Sequence, residues 1–243
     1  MSGRTNRIGR HLPTSGGLAK TLEAARDLGC ETAQIFVSNP QSWTVPTPRP
    51  DAAAFVEGER KLGLSPTVAH AKYLINLSSP HEELRRHSAE VLARELVAAG
   101  TLGLDLVVVH AGSHGGDEKG MDRLVESLDL VRELAARLAG PSVRAAEPVV
   151  ENSVGAGTQL CSTFDSLSEV VRRAGVRVCL DTAHAFVAGY DFSTPRLLAE
   201  ELKHTVGPAL ALLHLNDARN GFGSHRDGHC KIGEGQIPEE AWK

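Results

Sequence analysis

Aromatic residues make up only 4% of this 243-residue chain, a small share for a core that rings would normally help to fill. The four cysteines (Cys30, Cys161, Cys179, Cys230) are widely spaced and form no CxxC pair. That excludes a disulfide scaffold and a thiolate zinc knuckle, and predicts reduced thiols. No apolar run approaches the roughly 18 residues of a membrane span, and the opening MSGRTNRIGRHLP has no apolar signal core. A cytoplasmic chain without membrane association is expected. A basic surplus is also missing: Lys+Arg 26 against Asp+Glu 30 gives a net charge of −4. Coating nucleic acid by bulk charge is therefore excluded, though a local basic patch is not. Histidine, in contrast, is abundant, with eleven copies.

Short β-branched runs alternate with long amphipathic stretches along almost the whole chain, which argues for βα units and a parallel sheet. Strands are predicted near Asn6–Leu12, Thr32–Val37, Pro66–Ala71, Asp105–His110, Pro148–Glu151, Arg177–Asp181 and Ala209–Leu215. Helices are predicted over Gly17–Leu28, Ala52–Leu62, His81–Ala99, Met121–Leu138, Ser166–Arg173 and Pro195–Thr205, from apolar positions three and four apart. Ser79-Pro80 and Ser193-Thr194-Pro195 supply start signals, while Gly29, Gly63 and Gly140 supply stops. The turn Leu12–Gly17 lacks the GxGxxG fingerprint of a doubly wound dinucleotide fold. The expected architecture is a TIM-type (β/α) barrel in one domain, 1–243, whose last segment Pro238–Lys243 looks like the opening of a seventh helix. The barrel would thus be one strand short of eight at its C-terminal end. Two long polar segments, Asn39–Pro50 and Asn216–Gly235, are the natural places for function.

Nearly every proposed strand runs apolar and then ends in a metal-competent side chain: His11, His70, His110, Glu151, Asp181 with His184 following, and His214. The loop after the seventh strand adds Asp227 and His229. In a β/α barrel the C-terminal strand ends converge on one face, so these groups can share a cavity. Imidazole and carboxylate without thiolate suit zinc, manganese or iron, and their number suggests a multi-metal hydrolytic site. A lone histidine at a strand end is more often structural. Glu151 after Pro148-Val149-Val150 is a stronger case, because an ionised carboxylate ending an apolar strand needs a partner. His81, His87 and His204 lie among charged helical residues and read as solvated surface; His114 and His225 stay undecided.

The same residues carry a resemblance. His70-Ala71-Lys72-Tyr73-Leu74-Ile75-Asn76, His110-Ala111-Gly112-Ser113, Glu151-Asn152-Ser153, Asp181-Thr182-Ala183-His184-Ala185-Phe186, Gly189-Tyr190-Asp191 and His214-Leu215-Asn216-Asp217 occur in order. With Asn39-Pro40-Gln41-Ser42-Trp43 and the loop Gly223–Gly235, the chain resembles the endonuclease IV family of apurinic/apyrimidinic endonucleases over essentially its whole length. The resemblance implies a trinuclear zinc site, with manganese as the alternative metal. It acts on double-stranded DNA containing abasic sites, cutting the phosphodiester 5′ to the lesion to leave a 3′-hydroxyl and a 5′-deoxyribose phosphate. It assigns His70, His110 and Glu151 to a first ion. Glu151, the residue given a catalytic role, bridges to a second ion held by Asp181 and His214. His184, Asp227 and His229 hold the third, and His11 stands close by. Gln41, Trp43 and Tyr73 would enter the minor groove. Apart from the resemblance, the loop after the seventh strand is locally basic, and its Arg219, Arg226 and Lys231 are the candidates to meet phosphates. A monomer is expected.

The sequence departs from the family at Arg10 and at Leu12-Pro13, and it stops before the eighth strand, whose glutamate in the family bridges the first two metals. An incomplete form of a longer enzyme is thus expected, with weaker metal sites, two unpaired strand edges and doubtful catalytic competence. Two other readings compete: a divalent-metal sugar isomerase of the related barrel type, and a truncated chain that binds damaged DNA without turnover.

Overall fold

The structure, a computed structural model, describes residues 6–141 and 143–242. Lys243, the last residue of the expected seventh helix, lies outside them, as do residues 1–5 and 142 of the expected 1–243 domain. Seven strands form one parallel sheet in chain order: β1 (Gly9–His11), β2 (Thr32–Phe36), β3 (Thr67–His70), β4 (Leu106–His110), β5 (Glu147–Glu151), β6 (Arg177–Asp181) and β7 (Leu210–His214). Each falls within about two residues of its expected place except β1, which is shorter. The helices are α1 (Leu18–Asp27), α2 (Ala52–Leu62), α3 (Glu82–Thr101), α4 (Gly120–Ala139), α5 (Phe164–Ala174), α6 (Thr182–Ala188) and α7 (Pro195–Thr205). Among the described residues no helix is long and apolar enough to cross a membrane.

The chain packs as two compact units. The first takes the chain up to Leu74 with Glu90–Val108 and Val131–Glu147. Here β1, β2, β3 and the start of β4 pair in parallel, through Gly9↔Thr32, Phe36↔His70 and His70↔Val108. The core is largely aliphatic, with Leu18, Ile35, Ala69, Leu96, Leu102 and Val107 buried beside Phe55, which accommodates the shortage of rings. An ion pair is buried with them. Lys72 and Glu95 are 2% and 1% exposed, with Nζ 3.6 Å from Oε1. Lys72 Nζ also donates to Ser38 Oγ and, at 2.8 Å, to the Asn39 carbonyl, while Ser38 Oγ donates to Glu95 at 2.6 Å. Burial pushes the Glu95 carboxyl up, and the Ser38 hydroxyl and Lys72 pull it back. This network pins the start of the Asn39–Pro50 loop to α3, and Tyr73 N–H donates to the Pro40 carbonyl at 3.2 Å.

The second unit comprises Ile75–Ala89, Val109–Leu130 and the chain from Pro148 onward. The registers Glu151↔Cys179 and Asp181↔His214 bring the ends of β5, β6 and β7 level. Leu77, Leu124, Leu128, Val150, Leu167 and Val178 fill its core. A capping box starts α5: Thr163 Oγ1 accepts from Ser166 N–H, and Ser166 Oγ from Thr163 N–H. The expected Asn216–Gly235 loop is partly ordered by a short antiparallel pair, β8 (Asp217–Ala218) with β9 (His229–Cys230). The expected seventh helix is instead a 3-10 turn over Glu239–Trp242. Among the described residues β7 pairs in the sheet with β6 alone, and its Leu213 is 47% exposed, as a strand at an open edge would be.

Removing one member of a buried charge pair leaves the other uncompensated. Glu95→Ala is therefore expected to destabilise the chain by about 3–5 kcal/mol, read from its denaturant midpoint. A loss under 1 kcal/mol would show the pair to be dispensable.

Candidate metal centre

The second unit is organised around Glu151, the last residue of β5, which is 1% exposed. His214 Nδ1 donates to Glu151 Oε1 at 2.8 Å. His184 Nδ1 lies 3.6 Å from the same oxygen, and His110 Nε2 lies 3.6 Å from Oε2. One carboxylate thus faces three imidazoles from β4, α6 and β7. Parallel pairing dictates this: each strand reaches the same level and ends in a polar residue where the next segment turns away.

Asp181 closes β6 and immediately caps α6, a helix that sequence periodicity alone missed because it is only seven residues long. Its Oδ1 accepts from His184 N–H at 2.9 Å, which leaves Oδ2 turned to the site. Oδ2 lies 3.7 Å from His229 Nε2 and 3.9 Å from His214 Nδ1, and accepts from Asn216 Nδ2 at 2.6 Å. His184 Nδ1 donates to the Asn152 carbonyl at 2.9 Å, so its Nε2 is left to face Asp227 Oδ1 at 3.6 Å. Asp227 Oδ1 is also 3.4 Å from His229 Nε2. Possible ligand atoms of Asp181, His184 and His229 all lie within 4.8 Å of one another, as do those of Glu151, Cys179 and His214.

Charge follows from this geometry. Burial alone would lower the His184 pKa, but the Asp227 hydrogen bond and the Asp181 and Glu151 charges outweigh it and push it to about 9. His214 is raised in the same way, against its own burial, by Glu151 first and then Asp181. Asp227 is held below the usual carboxylate range by its bond to His184. Cys179 is pushed well above the normal thiol range by burial and by Glu151 and Asp181.

The cluster fits a divalent cation. Carboxylate oxygens and imidazole nitrogens converge, and a backbone carbonyl fixes the tautomer of His184 so that Nε2 points inward. Imidazole nitrogen and carboxylate oxygen dominate the donors, with Cys179 beside Glu151 and His214, a set that suits zinc or manganese.

Several residues that sequence reasoning passed over build this arrangement. Asn152, 1% exposed, accepts from Asp181 N–H at 2.6 Å and donates to the Asp181 carbonyl at 3.1 Å. Thr182 Oγ1 donates to the Asn216 carbonyl at 2.7 Å, and Asn76 binds both Ser113 backbone groups at 3.0 and 3.1 Å. Gly112 is required beside it: its φ is +92°, and a Cβ there would stand 2.1 Å from Asn76 Oδ1. The available signal was position, since Asn152, Thr182 and Asn216 each follow a strand end by one or two residues.

The remaining predicted residues divide between the two units. His11, Gln41, Trp43, His70 and Tyr73 belong to the first unit. There the His70 ring stands 5.6 Å from Phe36 and 5.5 Å from Tyr73, and its Nδ1 donates to the Ala71 carbonyl at 2.7 Å. His11 packs 4.4 Å from Phe36 and meets Gln34 Nε2 at 3.0 Å. Tyr73 is 57% exposed rather than core. Gln41 is exposed and Trp43 half-buried. In the second unit Arg219 donates to the His229 carbonyl at 3.4 Å, Lys231 sits 3.7 Å from Glu234, and Arg226 is exposed. His225 donates from Nδ1 to the Val154 carbonyl at 2.9 Å, while His81, His87 and His204 are exposed as expected.

Comparison with known proteins places these features in context. A family described as "Xylose isomerase-like TIM barrel" matches residues 22–243. Among curated relatives, "Probable endonuclease 4" of Haloquadratum walsbyi is 36% identical over 96% of this chain and 84% of its own length. That of Natronomonas pharaonis is 38% identical with the same coverage. Among solved structures, endonuclease IV from Thermus thermophilus superposes with a TM-score of 0.82 at 37% identity, covering 97% of this chain and 86% of that one. A D-tagatose 3-epimerase-like protein shares the fold at a TM-score of 0.71 and 21% identity, covering 97% of this chain and 85% of that one.

The raised His184 pKa sets a pH dependence for the metal-free chain. A folded value near 9, above the unfolded value of about 6.5, contributes stability that is fully present below pH 6.5 and lost as pH rises toward 9. Denaturation midpoints of the chelator-stripped chain are expected to fall across that window, and to fall less in Asp227→Asn, which removes the leading cause of the raised value. A midpoint that climbs through the window would contradict the assignment.

Proposed function

This chain belongs to the endonuclease IV family of nucleases, within the xylose isomerase-like TIM barrels, and on that premise we propose that it hydrolyses the phosphodiester 5′ to an abasic site in double-stranded DNA. Water adds to phosphorus, and the 3′ oxygen of the preceding nucleotide leaves and takes a proton. The products are a 3′-hydroxyl and a 5′-deoxyribose phosphate. The observation that carries this reading is the set of imidazoles and carboxylates gathered around buried Glu151.

In this reading His110 and Glu151, joined by His70, hold one zinc ion; Glu151, Asp181 and His214 a second; and His184, Asp227 and His229 a third. Bound divalent ions supply water activation at neutral pH and neutralise charge on the phosphate. Glu151 sits where it can serve two ions, because both of its oxygens already face imidazoles. The Asn152 carbonyl and Asn216 amide hold His184 and Asp181 in place before any substrate arrives. Exposed Tyr73, with Trp43 and Gln41, is suited to probing the minor groove. Displacing a nucleotide costs least where the base is absent, so the lesion selects itself without base readout. Arg219, Arg226 and Lys231 supply a local basic stretch for the flanking phosphates.

A duplex carrying a single tetrahydrofuran site tests the activity. One nick 5′ to the lesion with an extendable 3′ end is expected, abolished by chelator and restored by zinc. Cutting that ignores chelator, or no preference for the lesion, would contradict it; turnover of a ketose instead would favour the sugar-isomerase reading. Glu151→Gln should lower kcat/KM at least about 100-fold, equivalent to about 2.7 kcal/mol of transition-state stabilisation. Replacing Arg219, Arg226 and Lys231 together with Ala should flatten the salt dependence of binding by a log–log slope of roughly 2–3; an unchanged slope would remove them from the interface.

A further inference from the structure

Asp217 has no part in the chemistry above, yet it is fully buried, at 0% exposure, in the loop that carries Asp227 and His229. A buried carboxylate costs several kcal/mol unless its oxygens are satisfied. Here all the partners are backbone. Oδ1 accepts from Ala218 N–H at 2.8 Å and Ile237 N–H at 3.1 Å, and Oδ2 from Gly233 N–H at 2.9 Å and Gly235 N–H at 3.0 Å. Four N–H donors match the lone pairs of two carboxylate oxygens. The chain leaves Asp217, runs out through Asp227, and is drawn back onto the same side chain at Gly233, Gly235 and Ile237.

The closure extends to the ligands. Asp217 pairs with Cys230 and Ala218 with His229 across β8 and β9. Arg219 N–H donates to the Gly228 carbonyl and Gln236 N–H to the Ala218 carbonyl, both at 2.8 Å. The base is tight: a Cβ on Gly235 would lie 2.3 Å from Asp217 Oδ1 and 2.5 Å from the Ala218 carbonyl oxygen. Moving the carboxylate therefore moves β9, and with it Asp227 and His229 relative to His184, which stands on a different segment.

We propose that Asp217 is a positioning residue that closes the 217–237 loop and thereby sets Asp227 and His229 for the ion they share with His184. The inference rests on the metal reading above. An acid that merely stabilised the fold would weaken every metal site alike.

The test uses the full chain with Asp217→Asn, which turns an amide toward N–H donors, and Gly235→Ala, which presses on the same carboxylate from the other side. Each protein is stripped, reloaded with zinc and titrated with a graded chelator, and hydrogen exchange is followed in the metal-free forms. In both variants one ion should be released at roughly 10- to 100-fold lower chelator while the others leave as in the parent, and exchange should quicken within 217–237 but not in α5. Ions released together, no ion weakened, or exchange rising throughout the chain would overturn the proposal. A parent that takes up no zinc sinks the metal reading and this inference with it. Failure to cut abasic DNA with zinc uptake intact sinks the proposed activity alone.

Discussion

The second unit depends on keeping one carboxylate where there is almost no water. Glu151 ends an apolar strand at 1% exposure, and an isolated carboxylate there would be untenable. Its compensation is the imidazole of His214 at 2.8 Å, with His184 and His110 each at 3.6 Å. Because these histidines come from three elements, the carboxylate can be satisfied only if β4, β6, α6 and β7 end at the right level. Glu151 is thus a constraint on register as much as a member of the site.

A layer of neutral polar groups makes that arrangement precise enough for chemistry. Asn152 fixes the backbone of Asp181 from both sides, and its carbonyl fixes the ring of His184. Asn216 holds the outward oxygen of Asp181, and Thr182 ties Asn216 back to α6. These bonds decide which nitrogen and which oxygen face inward, and so which atoms are free for a cation. The first unit shows the same economy: Lys72 and Glu95 anchor the loop that carries Gln41 and Trp43 from beneath, leaving its tip exposed.

Much of this was legible in the amino-acid order, for physical reasons. The strands of a parallel sheet are buried on both faces, so runs such as Leu106–Val109 and Val149–Val150 stand out, and the polar residue that ends each run marks the C-terminal face. Ala52–Leu62 and Pro195–Thr205 were fixed to the residue by a following glycine and a leading proline. Helix α6 was not legible, since seven residues show too little periodicity and its start depends on Asp181 turning its own side chain back onto His184. Nor was the pairing of β8 with β9, which rests on the burial of Asp217 and on backbone groups invisible in a string of letters. Tyr73 could have been core or rim, and only packing against Phe36 and His70 with most of the ring exposed decides for the rim.

The central claim is that the charges around Glu151 exist to hold divalent cations, and diffraction from a zinc-loaded crystal at the zinc absorption edge tests it most directly. The account predicts anomalous peaks within about 2.0–2.2 Å of Glu151, of His214 with Asp181, and of His184 Nε2 with Asp227 and His229. The contrary result is a zinc-saturated crystal in which His214 keeps its hydrogen bond to Glu151 and no anomalous density stands between Glu151, Asp181, His184, His214 and His229.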